Sequence, residues 1–481
     1  MMKSRPWIAR AAGLVAAVGL ALTAAALPPA ATDHPGKDSV RPAAAVAATQ
    51  KLPEDLPGGK TVVGETSPVH DPALIIDDDG TWYVYSTGLV NRENGGTIQI
   101  WSSHDAGTMW NYSGTVWDRI PAWIDEHFSD GELPGNLWAP EIHENDGTYY
   151  LYYSASRFGG NNSLTALATN TTLDPNDPDY EWVDQGLVVS SPASGLDPNN
   201  PGKTFNAIDA GIIEDADGTP YMAIGSFWYG IFLVPIEWPS GKPAADWQSK
   251  TVNIADRFMP GNPVEAPYIT KHDDYYYLFV SFDSCCRGGD STYKVAVGRS
   301  KSVKGPYLDK DGRDMFGGGG SVVLDAHGAI TGPGGQSVFG DYLAFHYYDG
   351  SNEAVPYFPT LGVQKIDWTG GWPAFNQGVE LPKATKQPKD TAAGTGRKAS
   401  FSATATGTPG PVAVWESSAD GGATWQRVAH QPVTKRTDDG AYKSTLEFGA
   451  VASGQDGQLV RTVFQNAHGK VTTETARLSV R

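Results

Sequence analysis

The chain has 481 residues, 54 acidic against 36 basic side chains and a formal net charge of −18. That excess of carboxylates argues against nucleic acid and anionic membranes as partners and suits an exported protein acting on a neutral ligand. The two cysteines, Cys285 and Cys286, are adjacent, so they cannot staple distant segments and packing must hold the fold together.

The first ten residues carry three basic side chains, Lys3, Arg5 and Arg10, Ala11 to Leu27 is apolar and rich in small residues, and more small residues surround Ala31. This pattern predicts a secretory signal peptide over 1–31, with the mature protein secreted and extracellular. The apolar run is too short and too weakly hydrophobic for a retained membrane helix, and no later run is long enough to span a bilayer. Residues 32–60 are rich in Ala, Pro and Gly and are expected to form a disordered lead-in.

From there an aromatic strand recurs five times, each beginning at a turn built from Asp, Gly or both. The turn positions are Gly80, Gly147, Gly218, Asp274 and Asp341, separated by 67, 71, 56 and 67 residues. A β-rich repeat of that length is too long for a solenoid and suits one propeller blade. The expected fold class is all-β: a five-bladed β-propeller over 61–381, then a linker over 382–398 and a small β-sandwich over 399–481. The linker is read from Pro, Lys, Gly and Thr without apolar periodicity. The sandwich is read from short alternating strands separated by turn signals such as Asp420-Gly421-Gly422. Helical periodicity is scarce throughout. Most of the 15 Trp and 21 Tyr are expected in sheet cores, while a few could line a cleft, since aromatic faces pack on sugar rings. The adjacent cysteines form either a vicinal disulfide or two thiols near a pocket.

Three carboxylates stand beside small or apolar residues just ahead of the aromatic strands: Asp71 before Pro72, Asp209 before Ala210 and Glu265 before Ala266. Each lies nine residues before its turn position. One such acid alone is as well explained as a turn anchor bonding backbone amides. Three at equivalent places on different blades point to one shared site. Clustered carboxylates suit glycosidic hydrolysis, which needs one protonated to donate and one ionised to activate water or attack. A third can hold their pKa values apart. The acids of 77–79 and 214–217 read as turn residues only.

At these residues the chain resembles glycoside hydrolase family 43, and within it the secreted arabinan endo-1,5-α-L-arabinosidases, over about Thr66 to Pro373. The matching motifs include His70-Asp71-Pro72, Leu137 to Glu141, Asn206 to Asp209, Gly225 to Trp228, Glu265 to Tyr268 and Ser281 to Gly288. The resemblance implies a five-bladed propeller and inversion of configuration, with Asp71 as general base, Glu265 as general acid and Asp209 tuning and orienting the acid. It implies substrate contacts from His70, Trp138, Phe158, Asn206, Ser226 and Phe227, and a partner in plant cell-wall arabinan or pectin side chains. A monomer is expected, without nucleic acid or membrane as partner. No cofactor is required for the chemistry. Many relatives carry Gly-Pro-Gly-His, whose histidine helps to hold calcium at the propeller centre; here the segment reads Gly332-Pro333-Gly334-Gly335-Gln336. His346 is then the remaining metal candidate, although a lone His on an aromatic strand is more often a core residue. The tail resembles bacterial immunoglobulin-like domains through Trp415, Ser418 to Trp425 and Phe464 to Gly469. The rival readings are an exo-acting α-L-arabinofuranosidase or β-xylosidase of the same fold, and a glycan-binding propeller without catalysis.

Overall fold

The computed structural model describes residues 62–481 except 192–203, 351–354, 369, 376, 378–379, 409, 429–430, 433, 438 and 467–468. The expected signal peptide and lead-in lie outside the described residues. The fold is all-β. Among the described residues, its only α-helices are the short segments Ala122–His127 and Trp247–Lys250, and no helix is long and apolar enough to cross a membrane.

Five sheets follow one another along the chain. Their first strands in the repeat are Ala73–Ile76, Trp138–Asn145, Gly211–Glu214, Val264–His272 and Ile330–Phe339. Each contacts its successor, and the fifth contacts the first, so these five strands form a closed ring. The Asp/Gly turns then lead into the second strands, Trp82–Ser86, Thr148–Ala155, Pro220–Ile224, Tyr275–Phe282 and Tyr342–Asp349. All pair antiparallel with the first strands. At Gly80, Gly147 and Gly218 the backbone φ is +86°, +74° and +82°, a left-handed conformation that glycine adopts without steric cost.

The aromatic runs are explained by burial on both faces. In Thr148–Ala155, Leu151 and Tyr153 pack with Ile75 and Tyr85 of the first sheet. Tyr150 and Tyr152, pointing the other way, pack with Ile212 and Met222 of the third. Tyr276 and Leu278 face the third sheet, whereas Tyr277 and Phe279 face the fifth. A strand alternates its side chains between faces, so a strand sandwiched between two neighbours needs apolar residues at every position. Five such inter-sheet cores occur, the last joining Trp82 and Val84 to Leu361 and Val363.

The ring closes without a covalent link. The amide of Leu361 donates to the Thr66 carbonyl (2.9 Å) and that of Val69 to the Pro359 carbonyl (3.1 Å). The segment ahead of the first sheet is thereby fastened to the last.

Residues 380–481 form two further sheets around a shared core containing Phe401, Trp415, Leu446, Val460 and Phe464. Trp415 is fully buried and its indole N–H donates to Ser444 (3.0 Å). The expected linker over 382–398 is corrected: Glu380–Lys386 is an edge strand paired with Ala399–Thr408, and Thr391–Ala393 pairs with Ala476–Val480. Pro382 is tolerated because an edge strand need not donate every ladder bond. The strand shows no apolar stripe because it leans on its neighbour's core rather than bringing its own. These sheets are also not tethered freely. Ser321–Leu324 of the fourth sheet lies against Leu459–Asn466, and the described residues belong to one compact unit.

Truncating Trp415 to Ala is expected to cost about 3–5 kcal/mol through the cavity and the abandoned Ser444 hydroxyl. Chemical denaturation of the variant against wild type checks this.

Candidate active site

The heads of the five ring strands share one backbone feature. Asp71, Ala139, Asp209, Ala266 and Gly335 all have left-handed φ, between 41° and 62°. Such a kink takes its amide out of the strand ladder, and in four cases a side chain from the preceding sheet accepts it. The Asp71 amide donates to His346 Nδ1 (3.1 Å), that of Ala139 to Thr87 Oγ1 (2.9 Å), that of Ala266 to Asp209 Oδ2 (3.0 Å) and that of Gly335 to Ser281 Oγ (2.9 Å). Asp71, Asp209 and Ala266 line one small central cavity with Glu141 and Gly335. Its volume of about 30 Å³ holds one or two waters.

The three sequence-predicted acids therefore converge, with one correction of register. Asp71 and Asp209 occupy the kink itself, whereas Glu265 stands one residue before the kink at Ala266. Counting to the turn hid this, because the fourth repeat turns at Asp273-Asp274 without glycine.

Their electrostatics differ sharply. Burial pushes the Asp71 carboxyl up, but the His70 imidazole, hydrogen-bonded to Oδ2 at 3.1 Å, together with His346 and Thr87, outweighs it and holds the pKa well below the usual range. The Thr87 hydroxyl donates to the same Oδ2 (2.7 Å). The side chain keeps 25% of its surface exposed, so it is ringed by protein yet reachable by water. Burial drives Glu265 the other way, up to about 7, against hydrogen bonds from Ser226 and Tyr293 and with the help of the Asp71 charge. Ser226 donates to Glu265 Oε2 (2.8 Å), while Oε1 is buried without a partner among the described residues. Burial and then the Glu265 and Asp71 charges also raise Asp209. Two carboxyls in one dry pocket resist ionising together, so the Asp209–Glu265 pair retains a proton that Asp71 has lost.

The other predicted residues fall into groups. Trp138 is half-buried, its N–H given to Asn136 (2.8 Å), and Phe158 is 83% exposed. Asn206 is buried, its amide oxygen bound by the Ser163 hydroxyl, which makes it a support behind the Asp209 segment. Phe227 joins Trp228, Met259 and Asn262 around a cleft of about 330 Å³; its amide donates to Val264, immediately before Glu265 (2.9 Å).

Sequence reasoning passed over Glu141, which sits in the central cavity with its carboxyl pushed by burial up to about 8. It accepts the Ile212 amide (3.3 Å). The Ala-Pro that precedes it, matching Ala266-Pro267, was the available signal. Cys285 and Cys286 form a disulfide.

His70, Asp71 and His346 bring one potential ligand atom each within 4.8 Å of one another. They do not fit a directly bound calcium. Calcium takes six to eight oxygens, and this set has one carboxylate. His346 Nδ1 accepts the Asp71 amide, so the neutral ring carries its proton on Nε2 and offers no lone pair there. Nε2 is buried with no partner among the described residues. His346 is thus a core residue, though not a satisfied one. Gly335 is also reinterpreted: a Cβ there would lie 2.6 Å from Asp71 Oδ1 and 2.7 Å from His346 Nδ1. The position has no room for any side chain, histidine included.

Residues 62–373 match glycosyl hydrolases family 43, and the chain belongs to that family. It is 39% identical over 322 residues to the extracellular exo-α-(1→5)-L-arabinofuranosidase of Cellvibrio japonicus, covering 64% of this chain and 86% of that protein. It is 38% identical over 308 residues to the extracellular endo-α-(1→5)-L-arabinanase 1 of Bacillus subtilis, covering 64% and 87%. The solved family 43 endo-arabinanase of Bacillus licheniformis superposes with a TM-score of 0.57 at 37% identity, over 65% of this chain and 99% of that one.

Gly335→Ala is expected to lower the hydrolytic rate by roughly 100-fold, because displacing Asp71 by even a fraction of an ångström misaligns the site. Steady-state kinetics with a melting curve separates this from unfolding. EDTA is expected to leave both rate and melting temperature unchanged, since the donor set does not suit calcium; assay before and after chelation checks this.

Proposed function

We propose that the chain hydrolyses α-1,5-L-arabinofuranosidic bonds within arabinan, with inversion of configuration. The observation that carries this reading is the division of labour among three convergent acids: one held ionised beside His70, one held protonated by burial. Asp71 is the general base that removes a proton from water as the water attacks the anomeric carbon. Glu265 is the general acid, giving its proton from the unpartnered Oε1 to the leaving oxygen. Asp209 shares the retained proton with that acid and orients its segment through the bond to the Ala266 amide. Asp71 and Glu265 interact through space with no hydrogen bond between them among the described residues, which leaves the site free for the intervening water that inversion requires. The reaction needs no cofactor.

The five sheets are read as the blades of a five-bladed β-propeller, and the two C-terminal sheets as an immunoglobulin-like sandwich. His70, Ser226 and Phe227 contact or adjoin the acids, and Trp138 and the outward-facing Phe158 offer aromatic faces for arabinose rings. The cleft at Phe227 and Trp228 supports action within chains, because it extends the site on the side of the acid, where the leaving segment lies. The relatives with extracellular names and the sequence of the first 31 residues support secretion, and the protein is read as a monomer acting on plant cell-wall arabinan.

Early products from linear arabinan are expected to be oligosaccharides of mixed length, with the β-anomer appearing first by NMR. Arabinose alone from the first time point would make the enzyme exo-acting, and the α-anomer first would remove the inverting assignment. Asp209→Asn is expected to move the alkaline limb of the pH–rate profile to lower pH. Removing one carboxyl of the pair removes the charge that would hold back the pair's last proton, so the acid loses its proton sooner; kcat/KM across pH checks the sign.

A further inference from the structure

Tyr348 and the Cys285–Cys286 turn lie behind Asp71, and the hydrolytic scheme assigns no role to either. The tyrosine is buried, and its hydroxyl bridges two groups: it accepts the Cys286 backbone N–H (2.8 Å) and lies 2.9 Å from His70 Nε2. His70 Nδ1 in turn lies 3.1 Å from Asp71 Oδ2. The ring of His70 stacks on His346 at 3.7 Å between centroids. Both edges and one face of the imidazole are thus engaged, and every contact leads to Asp71 or to the disulfide turn.

We propose that Tyr348 is a positioning residue for Asp71, set by the disulfide-bonded Cys285–Cys286 turn, which fixes the His70 tautomer that holds the carboxylate. The proton logic follows from the contacts. With the Cys286 N–H on the tyrosine oxygen, a neutral His70 leaves the hydroxyl proton directed at its Nε2. A neutral imidazole that accepts at Nε2 must carry its proton on Nδ1, and that proton points at Asp71 Oδ2. The opposite tautomer would set the Nδ1 lone pair against a carboxylate. Cys286 itself has a left-handed φ of 64°, an uncommon conformation for a residue with a side chain, and the disulfide to its neighbour restrains the turn that presents this amide. The disulfide therefore acts two groups away from the base, through a hydroxyl and an imidazole.

The inference rests on Asp71 being the general base. Tyr348→Phe removes one oxygen and is expected to lower kcat about tenfold with KM within about twofold, since it disturbs the base and not substrate binding. The double variant Cys285→Ser/Cys286→Ser is expected to show a similar loss. Combining all three changes is expected to add nothing further, because both act along one path. In the wild-type protein, ¹⁵N NMR at alkaline pH is expected to find His70 protonated at Nδ1. Wild-type kcat for Tyr348→Phe, losses that multiply in the triple variant, or a His70 proton on Nε2 would each overturn the proposal. The NMR result does not depend on any variant folding. Wild-type kcat in Asp71→Asn would instead overturn the assignment of the base itself.

Discussion

The site depends on the left-handed kink at the head of each ring strand. A non-glycine residue at positive φ costs about 1–2 kcal/mol, and four of the five kinks carry one. The kink is held because the amide it releases from the ladder is accepted by a side chain of the preceding sheet. His346, Thr87, Asp209 and Ser281 are those acceptors. Each bond fixes the neighbour as well as the kink, so the five strand heads form one connected collar. Asp209 is part of that collar and part of the acid trio at once.

The same collar lets chemically similar groups behave differently. Asp71 is surrounded by donors, from His70 and from Thr87, and it stays charged. Glu265 has two neutral hydroxyl donors and Asp209 one amide, and each has the other's company, so burial dominates and a proton stays. Glu141, also lining the cavity, is raised by burial against the Ile212 amide, Tyr268 and the Ile142 backbone. What separates Asp71 from the other three carboxyls is the pair of imidazoles beside it, set against a desolvation that all four share.

Local chemistry was legible in the sequence; contacts between repeats were not. The Asp/Gly turns announced the five sheets because turn preference is decided by the turn's own residues. Asp71, Asp209 and Glu265 were legible because three carboxylates recurring at like places on different repeats are poorly explained as turn anchors, although any one alone is not. Glu141 sits in the middle of a ring strand, within a motif but without a repeat of its own kind, and only the ring buries it against the other acids. Tyr348 looked like one more core aromatic, since its role depends on His70, 278 residues away. Residues 382–398 were misread because an edge strand without its own apolar face resembles a linker. Gly335 looked like a lost ligand, whereas its lack of a side chain is what admits Asp71 and His346.

The ring's last junction differs in kind from the other four. The chain runs through those four, but the first and fifth sheets meet only through hydrogen bonds and side-chain packing. Asp71 and His70 stand on one side of this seam, and His346 and Tyr348 on the other. Topologically the ring is an open string whose two ends touch at the catalytic base. Any fraying there parts the base from its supports while the Asp209–Glu265 pair stays assembled, so thermal inactivation can precede the loss of the sheets. Linking the segment around Val69 covalently to the one around Pro359, with the chain opened at another junction, would convert this seam into a continuous link.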